Sequence, residues 1–145
     1  MNAPEKRIDL KIRQGDVFWA GLGAPFGSEP GFRHPIVVVQ NDVYNASAID
    51  TVVGCVLTTN MARAGILGNV RLRKNEANLP RACVVNVSQI TTVDRARLGE
   101  KIGTLSGERI HQIVRGLRLL LEPRSPGTGP IDGPPPSLTG GSSGR

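Results

Sequence analysis

Short runs of β-branched and apolar residues, parted by turn residues, succeed one another along this chain and end on a single stretch of helical periodicity. That pattern favours a mainly β fold closed as a barrel over alternating strand–helix units. Gly-Asp-Val-Phe-Trp-Ala-Gly-Leu (15–22) opens the series. The continuous apolar runs 35–40 and 51–58 suit strands buried on both faces, with Gly54 marking a bulge or a close approach. Residues 69–73 alternate and so leave one face wet, 82–87 are again apolar, 88–93 continue or follow them, and 101–105 complete the count. Ser106 is a good helix N-cap with Glu108 behind it, and Ile110, Ile113, Val114, Leu117, Leu120 and Leu121 recur at helical spacing until Pro123. Gly116 inside that helix points to close packing. A shorter helical turn is expected from Asp94.

The last 23 residues, 123–145, change character: 18 of them are Pro, Gly, Ser or Thr, too few apolar side chains to offset chain entropy. A disordered tail is expected there and a flexible segment over 1–10, leaving a folded unit of 11–122. With aromatics at 3%, Val, Ile and Leu must fill its core. Cys55 and Cys83 lie inside β-branched runs, where they read as small buried residues in a reducing compartment. The absence of metal-ligand spacing argues against a metal or other cofactor, and no stretch has signal or membrane-spanning character. A cytoplasmic protein without a membrane partner is therefore expected. The net charge of +6 and pI near 10.2 favour a polyanionic partner.

Two segments combine polar side chains with exposed backbone. The Gly/Pro-rich stretch 23–35 carries Phe26, Ser28, Glu29, Phe32, Arg33 and His34 between the first two strands, where small barrels place working residues. Its plain alternative is a surface hairpin with a solvated Glu29–Arg33 pair. At Thr58, Thr59 and Asn60 a buried strand emerges into a loop, and a hydroxyl there could turn toward the same face as Arg33 or simply satisfy a turn.

In order, residues 14–22, Gly-Ser-Glu (27–29), Arg-His-Pro and the run after it (33–42), Val-Leu-Thr-Thr-Asn (56–60), 84–89, 92–98 and 101–121 resemble the MazF/PemK family of toxin endoribonucleases. The resemblance covers nearly all of 13–122. It implies an SH3-like barrel with a C-terminal helix and a homodimer. It further implies metal-free, ribosome-independent cleavage of single-stranded RNA (mRNA, with tRNA and rRNA as further targets) at short motifs, and inhibition by a cognate antitoxin of a type II system. The family's catalytic pair is an Arg before a Pro and a Thr ending a central strand. The Thr corresponds to Thr58. The position touching Pro35 is His34, with Arg33 one earlier, so both stay candidates, because neighbours on a strand face opposite ways.

Metal-free cleavage requires deprotonation of the 2′-hydroxyl, stabilisation of the phosphorane and protonation of the 5′-oxygen, giving 2′,3′-cyclic phosphate and 5′-hydroxyl ends. A guanidinium fits the second requirement and an imidazole a proton transfer. Phe26, Phe32, Arg71 and Arg73 are expected to hold RNA by stacking and phosphate contact, together with Ser28, Glu29, Thr59 and Asn60. Two rivals share the barrel. A CcdB-like gyrase poison would need C-terminal aromatics, and this chain ends its helix on Leu-Leu-Leu-Glu-Pro; an inactive SH3-like binding module would need a groove of exposed aromatics.

Overall fold

A computed structural model describes residues 11–24, 27 and 32–124. The expectations for 1–10, for the tail beyond Arg124, and for Phe26, Ser28 and Glu29 fall outside the described residues. Six strands, β1 (Asp16–Gly21), β2 (Arg33–Val38), β3 (Thr51–Thr58), β4 (Val70–Leu72), β5 (Cys83–Asp94) and β6 (Leu98–Thr104), form one antiparallel sheet in the order β4-β5-β3-β2-β1-β6. The sheet curls into a half-barrel carrying the C-terminal helix α2 (Gly107–Leu121).

The central strands are buried on both faces, which is why their sequences are continuously apolar. On one face Val17, Val37, Cys55, Leu57, Leu72 and Val85 pack with Leu105 and Ile113 of the helix side. On the other, Phe18, Val38 and Val52 cluster with Ile12, and Ala20, Ile36, Val56 and Val93 with the half-buried Leu98. Gly54 is a close approach: a Cβ there would stand 2.8 Å from the Val37 carbonyl oxygen. The bulge lies beside it instead, between Cys55↔Ile90 and Val56↔Asn86, so 82–87 and 88–93 are one strand interrupted at Val87, Ser88 and Gln89. Burial holds the Cys55 thiol up at about 12 and raises Cys83 as well, so neither is a ready nucleophile.

Asp16, 1% exposed, fastens β1 to β6: its carboxylate accepts from the Thr104 hydroxyl (2.8 Å) and lies 3.3 Å from the Lys101 ammonium. The far edge is joined by the 3-10 turn 76–78, where the Asn78 amide donates to the Ile102 carbonyl (3.1 Å). In α2 the Ser106 cap is as expected, its hydroxyl accepting from Arg109 N–H. The apolar face is shorter than expected: Ile113 is buried and Ile110, Val114 and Leu117 half-buried, whereas Leu119, Leu120 and Leu121 are 54%, 46% and 66% exposed. The turn after Asp94 is a 3-10 turn over 95–97, capped by the Asp94 carboxylate. Sequence periodicity gives no sign of α1 (Asp42–Asn45), capped by Asn41, or of the 3-10 turn 61–65.

Candidate active site

The loop between β1 and β2 is pinched at its base by paired backbone bonds, Leu22 N–H to the Phe32 carbonyl (2.6 Å) and Phe32 N–H to the Gly23 carbonyl. Phe32 sits at φ 59°, a conformation costly for a bulky L-residue, and its ring is 69% exposed, so it does not plug the barrel. From this pinch β2 leaves with Arg33 opposite Gly21, His34 opposite Ala20 and Pro35 opposite Trp19.

Register settles which residues share a face. Ile36 pairs with Val56 and Val38 with Gly54, and both Ile36 and Val56 belong to the cluster away from the helix. Two residues further on, His34 and Thr58 lie on that same face, one on each strand, because side chains alternate. Arg33 takes the other face. Its guanidinium carbon stands 4.6 Å from the centroid of the Trp19 ring, a cation–π contact on the alternate parity of β1 and β2. By strand parity Thr58 is on the face of His34, and the guanidinium of Arg33 lies over Trp19.

Thr58 ends β3 half-buried, opposite Val84 of β5. Its Oγ1 accepts from Asn60 N–H (3.1 Å), a bond that uses a lone pair and not the hydroxyl proton. Asn60 itself shapes the backbone, since its side chain accepts from Ala62 N–H and starts the 3-10 turn that follows. Thr59 is exposed one position later. Val84 pairs in turn with Arg71 of β4, so Arg71, Val84 and Thr58 form a row across three strands on one face. Arg73, also exposed, continues the parity of Arg71 beyond the end of β4.

Sequence reasoning missed several residues here. The pairing of Trp19 with Arg33 joins two strands and shows only in the register. Behind the Thr58 row, the Asn69 amide donates to Asn86 (2.9 Å) and the Asn86 amide to Gln89 (2.7 Å), while Asn69 also accepts from Val87 N–H. This network, with Asn86 2% exposed, fixes the bulge of β5 against the segment that follows the 3-10 turn 61–65. Arg97 reaches the Gly21 carbonyl (3.5 Å) at the strand end that faces Arg33. Among the described residues, no three His, Cys, Asp or Glu gather in a way that could hold a metal ion, and no helix is long and apolar enough to cross a membrane.

Residues 13–121 match the family described as PemK-like, MazF-like toxin of type II toxin–antitoxin system. Over 113 residues the chain is 41% identical to endoribonuclease MazF2 of Mycobacterium bovis and to endoribonuclease MazF6 of Mycobacterium tuberculosis, a span of 78% of this chain and 99% of each relative. Among solved structures, a mycobacterial endoribonuclease in complex with its cognate antitoxin superposes with a TM-score of 0.62 at 25% identity, covering 79% of this chain and 99% of that one. MazF of Deinococcus radiodurans gives 0.65 at 24% identity over 78% and 98%, a likeness of fold.

Proposed function

This chain belongs to the PemK/MazF family of type II toxin–antitoxin toxins and is an endoribonuclease of the MazF kind, and from that premise we propose that His34 and Thr58 form its reaction centre. The observation that carries this reading is their shared face at the mouth of the β1–β2 loop. Thr58 donates its hydroxyl proton to a non-bridging phosphoryl oxygen, its lone pair being held by Asn60 N–H. The 2′-oxygen attacks phosphorus after losing its proton to solvent, and the bond from phosphorus to the 5′-oxygen breaks. His34, as imidazolium, stabilises the charged phosphorane and delivers the proton that the departing 5′-oxygen needs. The products are a 2′,3′-cyclic phosphate and a 5′-hydroxyl, with no metal in the scheme.

On sequence grounds Arg33 is the favoured phosphate-stabilising cation. Its guanidinium lies over Trp19, and we assign it instead to orienting the RNA at the loop mouth, beside the exposed ring of Phe32 on which a base can stack. Arg71 and Arg73 take phosphates on the far side of Thr58. Phe26, Ser28, Glu29, Thr59 and Asn60 complete the candidate RNA contacts. The substrate is single-stranded RNA cut at a short motif in the cytoplasm, and a cognate antitoxin restrains the enzyme, a reading supported by the mycobacterial endoribonuclease solved in complex with its cognate antitoxin. A CcdB-like gyrase poison is disfavoured by the endoribonuclease relatives at 41% identity.

Purified protein incubated with a long mixed-sequence RNA in EDTA is expected to cut single strands and spare duplex. An absolute need for Mg²⁺, or equal cutting of duplex, would sink the scheme. Leu120 and Leu121, exposed at the end of α2 and outside its polar side, support a homodimer closed over them. Sedimentation at micromolar concentration should give twice the 15.4 kDa chain mass, and Leu120→Glu should return it to one. A monomeric wild type would refute the seam.

A further inference from the structure

We propose that a second anionic tract runs from the Thr58 face around the β4 edge into a groove beside α2, and that it holds the RNA strand flanking the cleavage site; this rests on the RNA-cleaving reading above. β4 is an edge strand, and α2 packs beside it. Between them lie two open hollows of about 420 and 450 Å³. Arg71 and Arg109 line both, so the hollows are neighbours; Arg115 lies at one end of the path, Arg73 and Lys74 at the other. Among the described residues no acidic side chain lines either one. The carboxylate beside them, Glu76, is already taken by Arg109 (2.6 and 3.1 Å) and is held below the usual carboxylate range by that contact. Glu76 also accepts from the Arg73 N–H (2.9 Å) and feels its charge, so Arg71, Lys74 and Arg115 are the cations that face the groove without that counter-charge.

Arg71 connects this groove to the reaction centre. It shares a row with Thr58 across β5, and two strand spacings separate them by about 10 Å. An extended strand of RNA crossing the sheet at Thr58 meets Arg71 within a few phosphates and can then turn over the edge. RNA suits the groove better than an acidic protein segment. Cations from two elements, rather than an apolar cleft, line it, and among its lining residues Leu119 alone is a large exposed hydrophobe. A peptide of that kind would also need apolar anchoring, whereas phosphates need only spaced cations.

The test compares the wild type with the double variant Lys74→Gln/Arg115→Gln, both side chains being exposed and outside the reaction centre. On a long single-stranded RNA the variant is expected to raise KM about five- to tenfold, to leave kcat in place, and to flatten the salt dependence by about 0.7 in log–log slope for each phosphate no longer neutralised. On an oligonucleotide of about 6 nucleotides, too short to run the length of the groove, the KM difference should narrow. A wild type that cuts both RNAs beside a variant with unchanged KM and slope overturns the groove alone. The same unchanged kinetics with weakened binding of poly-glutamate would give it to an acidic protein instead, and also overturns the proposal. A wild type that cuts neither RNA fails the functional reading itself, and the groove falls with it.

Discussion

His34→Ala is expected to lower the single-turnover cleavage rate about 10²- to 10³-fold, the loss that follows removal of one preorganised donor at a developing oxyanion. Its thermal midpoint should stay close to wild type, because a half-buried strand-end side chain contributes little core. The pH profile separates chemistry from packing. A ring that donates its proton must carry one, so the pH profile of the variant should differ in shape from that of the wild type. Arg33→Ala should act differently. Taking the cation away from Trp19 costs about 0.5–1 kcal/mol, and the effect on cleavage should fall on KM, with kcat and the shape of the pH profile kept. Should Arg33→Ala be inactive and His34→Ala near wild type, the guanidinium must swing around the sheet edge to reach Thr58, and the division of labour proposed for the two faces is wrong.

That division is not readable before folding, for a physical reason. Hydrophobic alternation tells which residues share a face only when one face is wet. The runs around Val37 and Val56 are apolar on every residue because both faces are buried, so their pattern carries no parity information. The parity of His34 and Thr58 comes from the pairing of Ile36 with Val56, a contact between strands that no local rule supplies. Residues 69–73, which do alternate, fold as their pattern says: Val70 and Leu72 inward, Arg71 outward.

Other features divide along the same line. The Ser106 and Asp94 caps were legible because capping is chemistry within three residues. The pairing of Arg109 with Glu76 joins positions 33 residues apart and leaves no local trace, so the basic groove it belongs to was invisible. Nor does anything in sequence announce Ala77 at φ 51°, held where the 76–78 turn presses against β6. Short 3-10 turns and the four-residue α1 escape periodicity because they hold scarcely one period.

Gly116→Ala should destabilise the fold by about 3 kcal/mol, although the same change in an exposed helix would stabilise it by about 1 kcal/mol. The sign reverses because of where the helix crosses. A Cβ on Gly116 would stand 2.1 Å from the Gly68 carbonyl oxygen and 3.2 Å from a Val87 methyl. Both obstacles are poorly able to yield. Gly68 is itself at φ +87°, with its own missing Cβ 3.1 Å from the Gly116 carbonyl oxygen, and Val87 is tied down through the Asn69 side chain. The helix must therefore lift from β5, loosening Ile113 from the main cluster. Gly107→Ala is the control, since among the described residues nothing lies within 4 Å of a Cβ there, so no clash opposes the substitution at this first helical position and no loss of stability is expected. Urea midpoints of the two variants, measured with the slope checked for constancy, decide it: a Gly116→Ala protein as stable as wild type would mean that α2 does not rest on Gly68 at all.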